Sequence, residues 1–287
     1  MSGSPPALTH FLNTVAELLD TLWFPLLVRV LVTAFTVVGA AVLAEKAGPF
    51  WGALVVGLPV SAGPAYAMLA IEYDAGFLAT SALSSMVGNT AAVVFIVVLA
   101  FAAPRLRMLP TLAIATSVWF ALALTLRSVA WTLPLTVGLN VVVYSLALIL
   151  TRGIKPGPPT GRTIQPRWYD LPARGLLVGV FVTGVVGVSH IIGPTATGIA
   201  AVYPIAITSL LLLLFPRIGG QTTAATMAGV VRAMIGFPVA FLVMHLTVET
   251  WGKVPALFAA LSMTLSWAAI LVVNRAIRQR GATASSA

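Results

Sequence analysis

The chain has 287 residues, of which 59% are hydrophobic and only 8% charged, and its formal net charge is +9. Soluble domains are about half apolar and about a quarter charged, so this composition excludes a water-soluble protein and predicts one that lies in a lipid bilayer. The bilayer core has no water to bond the backbone, and the apolar runs show no strand-like alternation. We therefore predict an all-α polytopic membrane protein.

Nine apolar runs are long enough to cross a bilayer as helices. In chain order, the predicted spans are residues 22–44, 50–71, 76–102, 109–126, 130–150, 171–189, 194–215, 222–247 and 255–274. Residues 1–21 form a polar N-terminal segment, a Pro- and Gly-rich connector covers 151–170, and residues 275–287 form a short tail.

The basic residues of the predicted loops collect on one side of the membrane. Twelve lie on one side and two, Arg127 and Lys253, on the other. The twelve are Lys46, Arg105, Arg107, Arg152, Lys155, Arg162, Arg167, Arg174, Arg217, Arg275, Arg278 and Arg280. Positive loops face the cytoplasm, so the N-terminus is predicted outside and the C-terminus inside. Because these charges are spread over short loops, we expect no nucleic-acid partner.

The chain contains an internal repeat with an offset of 145 residues. Its paired positions are Arg29/Arg174, Gly39/Gly184, Gly48-Pro49/Gly193-Pro194, Pro59/Pro204 and Pro110/Pro255. Spans one to four (22–128) therefore match spans six to nine (171–274), and the unmatched fifth span lies in the linker region 129–170. One extra span between the copies inverts the second copy, which predicts a 4+1+4 inverted repeat with the working site at mid-depth.

The first copy resembles the GlpM-like family of small bacterial inner-membrane proteins. The resemblance rests on Arg29, Gly52-Ala53-Leu54, Pro59 and Ser84-Ser85-Met86, and more weakly on Arg174, Pro204 and Pro238 in the second copy. It implies a multi-pass protein of the bacterial inner membrane, descended from a four-span unit that once paired antiparallel with itself. The family is associated with polysaccharide production. This chain departs from it by having two copies and a fifth span.

The second span carries two prolines and two glycines near its middle, in the run from Gly57 to Tyr66 that includes Pro59 and Ser61. Each proline removes a backbone donor and frees a carbonyl one turn back. The run predicts either a broken helix that lines a substrate site or a plain proline kink. The seventh span mirrors it through Tyr203 and Pro204, with Thr208-Ser209 in place of Gly63-Pro64.

Arg232 is the one charge deep inside a predicted span, with no acidic residue within two turns. An intramembrane arginine costs at least about 2.5 kcal/mol on insertion scales, so it normally faces a partner or a cavity. We expect it either to hold an anionic substrate group or to bond the carbonyls freed in the second or seventh span. Asn89 lies near the equivalent place in the other copy and joins the predicted substrate site.

Two further pairs of repeated positions carry polar groups. Arg29 and Arg174 either reach headgroup phosphates or form basic gates on the two sides of a central pathway. Glu45 and His190 each lie three residues before a Gly-Pro pair. Both can titrate, so proton coupling is one interpretation and a plain interfacial role is the other.

No catalytic triad, phosphate loop or metal-ligand cluster is present in the sequence, and cysteine is absent, so we expect neither an enzyme nor a cofactor or metal. The leading hypothesis is a secondary transporter or exporter of a small anionic or zwitterionic solute. One alternative is a translocase for a lipid or lipid-phosphate carrier, with Arg29 and Arg174 handling the headgroup. Another is a non-transporting scaffold subunit. Membrane lipid is the expected surrounding partner, and the fused repeat does not forbid a homodimer.

Overall fold

The computed structural model describes residues 61–154 and 169–284, together with five helical positions between 27 and 39. Within these residues the fold is helical and contains no strand. Its helices are α1 (Ala62–Glu72), α2 (Ala75–Ala102), α3 (Met108–Arg127), α4 (Leu133–Thr151), α5 (Asp170–Ala201), α6 (Ile205–Ala233), α7 (Gly236–Trp251) and α8 (Lys253–Ala284). Six stretches of this part of the chain are long and apolar enough to cross a membrane. The all-α class is thus confirmed for the described residues.

Helix α2 is the centre of the bundle. In its most apolar window 72% of the residues are buried, against 17% for α8. It packs against α3, α4, α5, α6 and α7. The helix begins directly after Asp74, whose carboxylate accepts a hydrogen bond from the Phe77 amide at 2.8 Å and so caps the first turn.

Polar contacts define the two ends of the bundle. At one end, the Lys253 ammonium donates to the Tyr73 carbonyl at 3.0 Å, and the Tyr73 and Ser189 hydroxyls lie 2.7 Å apart. We call this the Lys253 end. At the other, Arg217 donates two hydrogen bonds to the Asp170 carboxylate, at 2.5 and 2.8 Å. We call this the Arg217 end.

Glycines with positive φ interrupt the second half of the chain where predicted loops lie. Gly193 (φ 75°) interrupts α5, Gly219 (φ 75°) interrupts α6, and Gly252 (φ 85°) separates α7 from α8. Glycine takes this backbone conformation without the steric cost that a Cβ brings. These breaks lie within residues 190–193, 216–221 and 248–254, which we predicted as loops, while the count of nine spans stays a prediction.

Two other breaks fall inside predicted spans. Residues 202–204 separate α5 from α6 within the predicted seventh span, and residues 234–235 separate α6 from α7 within the predicted eighth. Pro204 and Pro238 lack the amide that a continuous helix would need. At its other end, α8 continues to Ala284, whereas we predicted a span ending at 274 and a short tail.

Candidate functional site

Five buried polar side chains surround the middle of α2, and we call them the central polar layer. They are Tyr66, Ser85, Asn89, Asn140 and Tyr144. Asn89 lies 14 residues after the start of the 28-residue helix Ala75–Ala102, which is about 42 Å long at about 1.5 Å per residue. The layer therefore lies at mid-depth of a bundle that is otherwise mostly apolar.

A chain of hydrogen bonds runs through this layer from α2 to the break after α6. The Asn89 side-chain amide donates to the Tyr144 hydroxyl at 2.7 Å, and that hydroxyl donates to the Met234 carbonyl at 2.7 Å. Pro238 cannot supply the helical amide to this carbonyl, so the Tyr144 hydroxyl and the Phe237 amide (3.0 Å) bond it instead. The break in the predicted eighth span is thus stabilised by helix α4, which corresponds to the predicted fifth span.

A second set of bonds joins α1, α2 and the segment of α5 after Gly193. The Ser85 hydroxyl donates to the Gly198 carbonyl at 2.6 Å and lies 2.7 Å from the Tyr66 hydroxyl. One turn earlier, the Ser81 hydroxyl donates to the Pro194 carbonyl at 3.1 Å. Serine hydroxyls of α2 therefore hold the short segment that precedes the break at 202–204.

Two acceptor atoms of the layer have no hydrogen-bond partner among the described residues. They are Oδ1 of Asn89 and Oδ1 of Asn140, both buried. The Asn140 amide already donates to the carbonyls of Met86 (3.0 Å) and Thr136 (2.9 Å), and the Asn89 amide to Tyr144. Buried polar atoms are normally bonded, so these two oxygens are places where water or a donor group of a solute can bind.

Arg232 lies in the last turn of α6, two residues before Met234. Its side chain is exposed. Among the described residues, the guanidinium makes no hydrogen bond or ion pair, whereas its backbone carbonyl accepts a bond from Trp267 Nε1 at 2.9 Å. Arg232 and Asn89 thus approach the same break: Asn89 from the buried side through Tyr144, and Arg232 from the exposed side.

Tyr203, Pro204 and Thr208 lie together at the other break. The Tyr203 hydroxyl is 3.2 Å from Thr116 Oγ1, and its ring packs against Trp119 at a centroid distance of 4.8 Å. Buried Pro204 precedes α6, and its carbonyl accepts a bond from the Thr208 hydroxyl at 3.0 Å. These side chains therefore stabilise the start of α6, and the hydroxyl of Thr208 is used within its own helix.

The other predicted site residues do not join the central polar layer. Ser61 directly precedes α1 and makes no capping bond through its side chain. Arg174 is half-buried in the second turn of α5, towards the Arg217 end. His190 is exposed three residues before Gly193. Arg29, Glu45 and Pro59 lie outside the described residues.

Tyr66, Ser85, Asn140 and Tyr144 were not among the predicted site residues. A signal for them is present in the sequence. Thr136, Asn140 and Tyr144 follow one another at intervals of four in the fifth span, as do Ser81, Ser85 and Asn89 in the third. Residues at such intervals share one helix face, so each set forms a polar stripe in an apolar helix.

No family model, no curated protein and no solved structure matches the chain.

Proposed function

We propose that the protein is a secondary transporter of a small anionic or zwitterionic solute, working by alternating access between two inverted repeats. The observation that carries the proposal is the break at residues 234–235, flanked by the Asn89–Tyr144 chain and by the guanidinium of Arg232, which makes no bond to the described residues. In transporters of this architecture, broken helices at mid-depth supply the polar groups that bind the solute.

The helix boundaries support an inverted repeat. Helices α3 and α8 begin at Met108 and Lys253, 145 residues apart, and the residue before α2, Asp74, is 145 residues from the break at Gly219. Asn89 and Met234 are also 145 residues apart, and Tyr144 bridges them. Equivalent residues of two copies approach each other only near their symmetry axis, which supports an axis through the central polar layer.

The charges favour an anionic group on the solute. The acidic residues of the described part, Glu72, Asp74, Asp170 and Glu249, lie at helix ends or in turns. At mid-depth the charged group is Arg232, whose planar guanidinium suits carboxylate or phosphate. The half-helices α6 and α7 begin at the two breaks, and helix N-termini favour negative charge.

Orientation and location form a further part of the proposal. Exposed Arg105, Arg107 and Arg152 lie in loops joined to α2, α3 and α4 at the Arg217 end. Positive loops normally stay in the cytoplasm, so we assign the Arg217 end to the cytoplasm of a bacterial cell. Kinship with the GlpM-like family belongs to the same proposal and rests on the sequence resemblance alone.

Transport is tested with purified protein in two steps. A thermal-shift screen of phosphate, carboxylates and amino acids first identifies solutes that raise the melting temperature, because a solute that binds the folded state stabilises it. Uptake of those solutes is then measured in proteoliposomes for the wild type, Arg232→Gln and Arg127→Gln, an exposed arginine at the end of α3. We expect uptake to fall at least tenfold in Arg232→Gln only. Equal uptake by both variants would refute the role of Arg232.

A lipid-phosphate translocase is the second candidate, and the exposure of the Arg232 side chain favours it. A guanidinium on the outer surface of the helix bundle can bind the phosphate of a lipid in the surrounding bilayer. Scrambling of a fluorescent phospholipid in the same proteoliposomes separates the candidates. Scrambling without solute uptake supports the translocase. The scaffold alternative predicted a fully paired Arg232, which the described residues do not provide.

A further inference from the structure

The hydrogen bonds of the central polar layer fix the orientation of its two asparagine amides. Backbone carbonyls only accept, so the Asn140 amide nitrogen must face the carbonyl of α2 and the carbonyl of α4 that it contacts. The Tyr144 hydroxyl donates its one hydrogen to the Met234 carbonyl, so the Asn89 amide nitrogen must donate to that hydroxyl. The side-chain oxygens of both asparagines are thereby left as acceptors without a donor.

Both oxygens belong to the interface between α2 and α4. The Asn140 amide reaches the carbonyl of Met86, one turn before Asn89 on α2, at 3.0 Å. Tyr144, one turn after Asn140 on α4, contacts the Asn89 amide at 2.7 Å. The two side chains therefore lie within about one helical turn of each other, at mid-depth of the bundle. Buried acceptors are normally bonded, so this pair calls for a group that supplies hydrogen-bond donors.

The chemistry of the pair favours a ligand that combines an ammonium group with its own negative charge. An ammonium group has three N–H donors and no acceptor, which matches two free oxygens. The acidic residues of the described part lie at helix ends or in turns, so a lone cation would be buried here without a counter-charge, at a high cost in free energy. A hard metal cation such as Ca²⁺ also takes about six or more oxygen ligands. A zwitterion brings its counter-charge with it.

We propose that the side-chain oxygens of Asn89 and Asn140 bind the ammonium group of a zwitterionic solute of the amino-acid type. This site rests on the proposed function and narrows its solute class to zwitterions. Both oxygens are buried, so binding requires α4 to move away from α2. Helix α4 suits such a movement, because 22% of its most apolar window is buried, against 72% in α2.

The test is a thermal-shift titration of the purified protein with sets of matched solutes. The first set is glycine, glycolate and glycine betaine. Glycolate has a hydroxyl in place of the ammonium group, and glycine betaine keeps the positive charge on a nitrogen that has no hydrogen to donate. Further sets use alanine, leucine and phenylalanine with their hydroxy acids and trimethylated derivatives. A solute that binds the folded state raises the melting temperature, and the dependence on concentration gives an apparent dissociation constant.

Three variants accompany the wild type. Asn140→Leu removes the acceptor oxygen at similar volume, and Asn140→Asp keeps an acceptor and adds a negative charge. The two carbonyls that the Asn140 amide contacts lie inside α2 and α4, where helical amides also bond them. Thr151→Val is the matched control, because it removes a buried hydroxyl of α4 that bonds the Ala147 carbonyl of the same helix. Elution as a single peak checks the folding of each variant.

We expect amino acids to raise the melting temperature of the wild type and of Thr151→Val, and their two analogues to leave it unchanged. The apparent dissociation constant should rise about tenfold or more in Asn140→Leu, because a hydrogen bond to a charged group is lost. In Asn140→Asp it should stay at the wild-type value or fall.

Four outcomes would overturn the site. Equal shifts with the hydroxy acids or the trimethylated derivatives would show that N–H donors are not recognised. Equal affinity of the wild type and Asn140→Leu would remove Asn140 from the site. A shift with sodium chloride alone that is lost in Asn140→Leu would indicate a metal ion. The absence of any shift that depends on Asn140 would mean that only water bonds these oxygens.

The same measurements separate this site from transport itself. Uptake of phosphate or hydroxy acids that depends on Arg232, without binding of amino acids, would refute the ammonium site and leave transport in place. Binding of amino acids that depends on Asn140, without uptake in proteoliposomes, would support the site and refute transport.

Discussion

At the residue scale, Tyr144 is the side chain that connects the linker helix to both halves of the chain. Its hydroxyl accepts a hydrogen bond from Asn89 of α2 and donates one to the Met234 carbonyl between α6 and α7. Both partners are buried, and Pro238 has no amide hydrogen to donate to the Met234 carbonyl. Together with the Phe237 amide, this hydroxyl therefore stabilises the break beside Arg232.

Replacing Tyr144 with phenylalanine removes the hydroxyl that bonds both the Asn89 side-chain amide and the Met234 carbonyl. The Met234 carbonyl keeps the Phe237 amide, whereas the buried Asn89 amide loses the partner seen in the structure. An unpaired buried group costs roughly 1–3 kcal/mol, so we expect a clear fall in melting temperature of the purified protein. Thr208→Val is the matched control, because the Thr208 hydroxyl bonds only within its own helix. Equal melting temperatures for the two variants would contradict the role given to Tyr144.

Gly198 tests the close approach of α2 and α5. A Cβ at this position would clash with the Ser81 carbonyl oxygen, which belongs to a helix backbone and cannot move aside easily. Forcing extra volume into a packed contact typically costs about 1–3 kcal/mol, so Gly198→Ala should lower the unfolding temperature. A Cβ added at Gly184 would have no neighbouring atom within 4 Å. Gly184→Ala should therefore leave the unfolding temperature unchanged or raise it, since alanine favours the helix. Similar unfolding temperatures for Gly198→Ala and Gly184→Ala would show that Gly198 has more room than the structure indicates.

At the element scale, the sequence predicted some boundaries well and others poorly, for identifiable reasons. Helices α2, α3 and α4 lie within three residues of the predicted spans, because polar or turn-forming residues bound their apolar runs. The breaks at 202–204 and 234–235 were not predicted as helix ends. A proline inside an apolar run is compatible with a kink or with a break, and the outcome depends on which side chain bonds the freed carbonyl. At 234 that side chain is Tyr144, from a helix 90 residues earlier.

The residues of the candidate site could likewise be predicted only in part from the sequence. Asn89, Pro204 and Arg232 were predicted from their residue types, and the structure brings all three to the two breaks. Their partners could not be assigned, because periodicity shows that a polar stripe faces protein but not which helix it faces. The exposure of Arg232 depends on the rotation of α6 about its axis, which the residues of that helix alone do not fix.

The ion pair between Asp170 and Arg217 links the start of α5 to the end of the first segment of α6. Its geometry is bidentate, and the Arg217 and Asp170 side chains are 19% and 12% exposed. Bidentate geometry makes such a pair stronger than one with a single hydrogen bond, and salt screens it where it meets water. A double-mutant cycle of Asp170→Asn and Arg217→Gln should give a favourable coupling free energy that falls in high salt. A coupling of zero at low salt would mean that the pair does not hold these segments together.

At the scale of the whole molecule, the two ends of the bundle carry different charges. Arg105, Arg107 and Arg152 are exposed at the Arg217 end, while Glu72, Asp74 and Glu249 lie at the Lys253 end. Positive loops normally stay in the cytoplasm, and the proposed orientation rests on this distribution. In the proposed inverted repeat the two copies have opposite orientations, because α3 begins at the arginine-rich end and its proposed counterpart α8 begins at the Lys253 end.

Cysteine labelling in intact cells tests this orientation directly, because an exposed thiol reacts with a membrane-impermeant maleimide only from its own side. Ser128→Cys and Thr250→Cys report the Lys253 end, and Arg105→Cys and Gly153→Cys the Arg217 end; all four positions are exposed. We expect the first two to be labelled in intact cells and the other two only after permeabilisation. The opposite pattern would place the arginine-rich end outside. Equal labelling of both ends in intact cells would mean that the protein inserts in both orientations and that its loop charges do not select one.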